Sequence, residues 1–294
     1  MPSLKDLRNR IDSVKSTKKI TQAMKMVAAS KLKKAQILAE QGRSYSTGLN
    51  GIVQDLINSS EHIEHPLLAN NTDVKNSTLI IVVSSDRGLC GGLNSNIVKE
   101  VKKKINKLKD QNKSISLICI GKKGFDLLSG NYEKMFNFEL KYINIGEIDY
   151  KFTEEIANKI LNSFYKNNFQ ECSLFYNYFR SVISQEVKTE QLIPYSRNSE
   201  TINEDQHDVD NYFEYEPDEE EVLSKILPKN FIVQIYKSVL ESRASEQGAR
   251  MSAMDNATRN AGEMIDNLSL KYNRQRQAII TKELIEIISG AEAL

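Results

Sequence analysis

The sequence is poor in the residues on which most enzyme chemistry depends. Its 294 residues hold only three histidines, three cysteines and five prolines. The cysteines, Cys90, Cys119 and Cys172, are an odd number with no CxxC spacing, which excludes a disulfide framework and a zinc knuckle and points to a reducing compartment. The histidines, His62, His65 and His207, all fall in polar stretches, so no Cys-His or Ser-His pair can be placed and no catalytic residue is assigned. No apolar run reaches the roughly 18 to 20 residues of a membrane-spanning helix. Met1 to Arg10 lacks the apolar core of a secretory signal, and the basic start reads as mature structure rather than a transit peptide. Net charge is only +1, which argues against an overall nucleic-acid-binding character.

Proline is also missing from Asn230 to Leu294, and this stretch dominates what is present. Steps of 3 and 4 from Met251 reach Met254, Thr258, Ala261, Ile265, Leu268, Tyr272, Gln275 and Ile279, a narrow heptad seam that needs one partner helix. At about 1.5 Å per residue, Asn230 to Ser289 would run roughly 90 Å, longer than a compact domain of this size is wide. Glu241, Glu246 and Asp255 alternate with Arg243, Arg250 and Arg259, which reads as a solvated face. Pro228 marks the start of this helix or a kink near it.

A second seam opens the chain. Leu4, Leu7, Ile11 and Val14 follow the same spacing after Ser3 as N-cap. Lys18 and Thr21 then occupy the next seam places, and the reading is that the seam slips to Ile20, Met24, Val27, Leu32 and Ala35 as at a stutter. The first 34 residues carry ten Lys or Arg against Asp6 and Asp12, a basic rod that is either a solvated face or a contact for an acidic partner.

Between the helices the pattern changes. STLIIVVSS (Ser77 to Ser85) suits a strand buried on both faces, followed by a glycine-rich turn, Gly88 to Gly92, and a helix from Ile97 to Leu108. A second strand (Ser114 to Gly121), short helix (Phe125 to Leu128), longer helix (Glu154 to Tyr165), third strand (Glu171 to Phe179) and edge strand (Val187 to Pro194) complete the order. The fold class is therefore α/β: a long antiparallel coiled coil of N- and C-terminal helices with an inserted Rossmann-like, mainly parallel α/β domain. The expected divisions are an N-terminal coiled-coil helix (1–60), a linker (61–76), the α/β domain (77–197), an acidic loop (198–221) and a C-terminal coiled-coil helix (222–294). The acidic loop lacks calcium-loop spacing, so no metal is assigned. GLCGG is neither GxGxxG nor a P-loop, GKKG (Gly121 to Gly124) carries no signal, and no cofactor is assigned. Asp86 and Arg87 are a functional pair or a salt-bridged turn. On residues alone this is a non-catalytic protein that works mechanically or by interaction.

Four stretches carry a resemblance: KITQAMKMVAASKL (Lys19 to Leu32), SSDRGLCGGLNSNI (Ser84 to Ile97), ESRASEQGARMSAMDNAT (Glu241 to Thr258) and YNRQRQAIITKELIEIISGAEAL (Tyr272 to Leu294). In order and spacing, over essentially the whole chain, they resemble the γ subunit family of F-type ATP synthase. The resemblance implies a non-catalytic central rotor shaft, a single copy per complex, that transmits torque between the proton-driven c-ring and the catalytic β subunits. The terminal helices would turn inside a ring of three α and three β subunits, and the α/β domain would meet the ε subunit and the c-ring. It further implies β-subunit contacts at Met24, Lys25, Arg87, Cys90, Arg276, Gln277 and Thr281, and a bearing against the α/β-subunit ring at Ile280, Leu284, Ile287, Ile288 and Leu294. Gly248 stands where many relatives carry alanine. With no cysteine after Cys172 the chloroplast thiol switch has no counterpart, which implies a bacterial type on the cytoplasmic face of the inner membrane. The competing readings are a basic coiled coil that grips nucleic acid through Met1 to Lys34, and a nucleotide-dependent enzyme using the turn after the first strand.

Overall fold

The computed structural model describes residues 3–59, 65–68, 76–136, 140–145, 149–195 and 218–292. They divide into two compact units, Met1–Ser30 with Arg250–Leu294 and Lys31–Ala249. Helices α1 (Leu4–Ser59) and α5 (Glu219–Glu292) each contribute to both. The division thus falls inside these helices rather than at the ends of the α/β segment.

In the first unit α1 begins with a reciprocal cap: Asp6 N–H donates to Ser3 Oγ at 3.2 Å and Ser3 N–H to Asp6 Oδ2 at 3.1 Å. The Ser3 bonds hold the Asp6 carboxyl below its usual range. Along α5 the residues at 251, 254, 258, 261, 265, 268, 272, 275 and 279 are all shielded or half-shielded, as the heptad pattern predicts, with 252, 253, 257, 262 and 269 half-shielded beside them, and from Ile280 to Ala291 every described side chain is exposed. Thr21 pairs with Thr258 and Lys25 with Asp255, so the two helices run antiparallel. The expected slip in α1 does not occur. Ile20 and Val27 are 60% and 56% exposed, whereas Thr21 is buried. Polar residues hold the seam because Thr21 finds a hydroxyl partner and because Gly262 leaves room for the end of the Lys18 side chain, whose Nζ lies 3.3 Å from where a Cβ would stand.

The second unit is built on a five-stranded sheet in the order β3-β2-β1-β4-β5. Its strands are β1 (Ser77–Val83), β2 (Ser114–Ile120), β3 (Tyr142–Ile143), β4 (Glu171–Phe179) and β5 (Gln185–Ile193). All pairings are parallel except β4 with β5. β1 is buried along its whole length, as a β-branched run with no polar alternation requires. One face of the sheet, through Ile80, Val82, Leu117 and Phe175, packs against the apolar side of α2 (Leu93–Asp110) and Leu128 of α3 (Lys122–Tyr132). The other, through Leu79, Ile81, Leu174 and Tyr176, is covered by α4 (Tyr150–Tyr165), Val53, Leu56 and Ile57 of α1, and Leu227, Phe231 and Ile235 of α5. The terminal helices therefore close the sheet's own core.

Several boundaries differ from the sequence reading. α3 is a full helix rather than one turn, α4 starts at Tyr150 where Asp149 accepts from Phe152 N–H, and the two-residue β3 carried no period to detect. α5 starts at Glu219, inside the acidic run, and Pro228 sits within it. The rest of the acidic loop that is outside the described residues, 198–217, includes His207; His62 also lies outside them. GKKG is a packing device. Gly121 has φ +107° and a Cβ there would stand 2.1 Å from the Ser84 carbonyl oxygen, while one on Gly124 would stand 2.7 Å from Ser84 Oγ. The Ser84 hydroxyl donates to the Gly121 carbonyl at 3.0 Å and accepts from Gly124 N–H at 2.8 Å.

Candidate functional site

The residues expected to meet partners fall in three places. On the seam unit, Lys25 is held by Asp255 at 2.6 Å and Met24 beside it is half-buried. Both partners of that ion pair keep much of their surface in solvent, which limits its strength. Lys25 lowers the Asp255 carboxyl by hydrogen bonding and charge.

Further along α5, Arg276 and Gln277 project into solvent, and the Thr281 hydroxyl donates back to the Gln277 carbonyl at 2.9 Å. Ile280, Leu284, Ile287 and Ile288 are exposed, at 48% to 68%, and Ile285, which the sequence reading passed over, is as exposed as they are. Leu294 lies outside the described residues.

The third place is the turn after β1. Here Arg87 and Leu89 are exposed, Leu89 at a φ of +65°, but Cys90 is turned inward. Its sulfur accepts from Asn94 Nδ2 at 3.3 Å, and it packs with Leu93 and Ala249. Any surface this turn offers is thus made by Arg87 and Leu89, with Cys90 shaping it from beneath. Asp86 accepts from Lys122 N–H at 3.1 Å and so caps α3.

What the sequence reading missed lies where α5 crosses the end of β4. Pairing of β4 with β1 stops at Phe175, yet β4 runs on to Phe179. Asn177 and Phe179 would therefore present main-chain groups with no strand to receive them. Asn177 N–H donates to Ser242 Oγ at 3.2 Å, and Ser245 Oγ donates to the Asn177 carbonyl at 3.0 Å. Phe179 N–H donates to Glu241 Oε2 at 3.0 Å, and Arg43 Nη2 donates to the Phe179 carbonyl at 3.3 Å. Arg43 closes the set with Nε and Nη2 on Glu241 Oε1 at 2.9 and 2.7 Å. Burial opposes the charge of Arg43, but its bond to Glu241 and that carboxylate's charge outweigh it and raise Arg43 above its usual range. Glu241 is fully buried, and Glu246 is nearly so, so neither belongs to a solvated face. The clue was the crowding of Ser, Gly and Ala in ASEQGA, small residues at a close approach: Gly248 lies against the Phe179 ring and Val182.

A polar cavity of about 350 Å³ opens between α1, α5 and β5, away from the turn after β1. Its lysine, Lys237, is already bound to both oxygens of Glu190 at 3.0 and 3.1 Å, leaving no free cation in the lining for a phosphate. His65 is half-buried, which lowers its basicity, and its Nδ1 accepts from Leu67 N–H. Among the described residues no helix is long and apolar enough to cross a membrane, and no group of three or more metal-ligating side chains is present.

Comparison with known proteins supplies the context for this geometry. A sequence model of the family described as ATP synthase matches residues 3–294. The ATP synthase gamma chain of Pelagibacter ubique is 50% identical over 295 aligned positions, covering 100% of both chains, and that of Sinorhizobium fredii is 47% identical with the same coverage. Among solved structures, the chain is similar to one from the central stalk and c-ring of Tetrahymena thermophila mitochondrial ATP synthase, with a TM-score of 0.58, 31% identity, and 81% and 99% of the two chains covered. A Euglena gracilis mitochondrial ATP synthase chain shares the fold at a TM-score of 0.64 and 18% identity, with 99% and 94% covered. None of these relatives supports the nucleic-acid reading of the basic helix. Full-length identity near one half, together with a shared architecture, establishes that this chain belongs to the ATP synthase gamma-chain family.

Proposed function

We propose that the chain is the central rotor shaft of a bacterial F-type ATP synthase, turned by the c-ring and acting on the catalytic β subunits without catalysing anything itself. The observation that carries this reading is the end of the seam. α5 keeps a partnered, alternating pattern to Ile279 and then continues as a helix to Glu292 with Ile280, Leu284, Ile287 and Ile288 exposed. An exposed branched apolar stripe on a long helix suits a greasy socket, and the ring of α and β subunits supplies one. The basic first turns of α1 and Arg87, in the turn over Cys90, offer charge to an acidic β-subunit lever, while Met24 offers it an apolar contact and Lys25 would have to exchange Asp255 for it; such exposed ion pairs form and release. Arg276, with Gln277 and Thr281, presents a donor fork suited to a carboxylate in one rotational state.

The sheet unit is assigned to the ε subunit and the c-ring, and the complex to the cytoplasmic face of the inner membrane. The test is a double substitution, Arg276→Ala with Gln277→Leu, in purified complexes reconstituted into vesicles. Coupled ATP synthesis is expected to fall while assembly survives; unchanged synthesis would overturn the role assigned to this part of α5.

A further inference from the structure

A shaft that is driven through its sheet unit needs a joint between sheet and helix, and apolar burial alone makes a poor one. Hydrophobic attraction is itself non-directional, and an apolar face resists sliding only through the interlocking of its side chains. Hydrogen bonds are directional and weaken steeply once misaligned. The end of β4 offers a directional connection: two residues of strand main chain, Asn177 and Phe179, whose amides and carbonyls are all bonded to side chains of α5 and α1. Main chain within a sheet cannot rotate away under load as a side chain can. The bonds come from two helices, since Arg43 of α1 binds both the strand and Glu241 of α5, so the strand, α1 and α5 are tied at one place. Full burial of Glu241 removes water from its side of those bonds, although Arg43 keeps 37% of its side chain exposed.

We propose that Arg43, Glu241, Ser242 and Ser245 form the joint through which the sheet passes torque to the long helices. They are positioning residues, and the proposal rests on the rotor reading above. Purified complexes in vesicles, carrying Glu241→Gln, Arg43→Lys or the pair Ser242→Ala with Ser245→Ala, are assayed on the same sample for ATP hydrolysis and for hydrolysis-driven acidification. Acidification per ATP hydrolysed is expected to fall clearly with Glu241→Gln, and by less with Arg43→Lys, which keeps the charge but loses the fork. The serine pair removes only neutral hydroxyls and reads the same ratio if the Glu241 variant does not assemble. An unchanged ratio in complexes that assemble overturns the joint, and so does a fall in recovered complex with a normal ratio in the remainder, which is a structural role only. Absence of the chain from the purified wild-type ATPase would instead defeat the rotor reading.

Discussion

Thr21 and Thr258 meet hydroxyl to hydroxyl at 2.8 Å, on seam positions of α1 and α5 where an apolar pair would be usual. One hydroxyl donates across the seam and the other, accepting it, donates to a carbonyl of its own helix, Lys18 at 3.1 Å from Thr21 or Met254 at 2.7 Å from Thr258. Replacing either by valine removes the bond across the seam, leaves the other hydroxyl its own carbonyl, and is expected to cost about 0.5 to 1 kcal/mol; replacing both should cost less than the sum of the two, because the shared bond can be lost only once. A double-mutant cycle read by thermal unfolding checks this. Simple addition of the two losses would contradict the pairing.

Two glycines are expected to respond in opposite directions to alanine. Gly51 lies in exposed helix with nothing within 4 Å of a new Cβ, so Gly51→Ala should stabilise by up to about 1 kcal/mol. Gly121→Ala, at φ +107° with the Ser84 carbonyl in the way, should destabilise by about 3 kcal/mol or more. Denaturant midpoints of the purified chain separate the two outcomes.

Acid should loosen the pairing of β1 with β4. Glu171 accepts from Lys113 at 2.7 Å and from the Thr78 hydroxyl at 3.1 Å. Burial alone would raise its carboxyl, but the Lys113 bond and charge and the Thr78 bond outweigh it and hold it below its ordinary value of 4.5. The unfolded chain therefore takes up the proton first, so this contribution is present above pH 4.5 and is lost as pH falls through the lower folded value. The stability gap between wild type and Glu171→Gln should be constant near neutrality and shrink below about pH 4.5. Urea unfolding across that range measures it, and a gap that widens in acid would reverse the sign.

Thiol chemistry should follow depth. Burial pushes the Cys119 thiol up to about 12 and raises Cys172 as well. Both should resist iodoacetamide in the native chain near pH 8, and Cys90, buried in a surface turn, should react before them; all three should react once the chain is unfolded. Peptide mass spectrometry after timed alkylation reports the order.

The α5 seam could be read from the sequence because its apolar residues recur where a partner helix needs them, with only Thr258 and Gln275 as interruptions. The same rule misled at Lys18 and Thr21, since composition alone cannot show that Gly262 makes room for the end of a lysine side chain or that two threonines bond to each other across the interface. β1 was legible because a run such as LIIVV can be stable only where both faces are covered. The β4 joint was not, since Glu241 and Arg243 look alike as charges in a list, and only the strand that outruns its neighbour reveals which of them is inside. Gly121 and Gly124 escaped for a similar reason: their partner, Ser84, is more than thirty residues away in sequence.

A strand that runs past its neighbour bares a rung of backbone, and bare rungs are where sheets from different molecules zip together. At Asn177 and Phe179 that rung ends on a carboxylate, two hydroxyls and a guanidinium, none of which can propagate the ladder to a further chain. Seating α5 on β4 thereby also seals that side of the strand against aggregation.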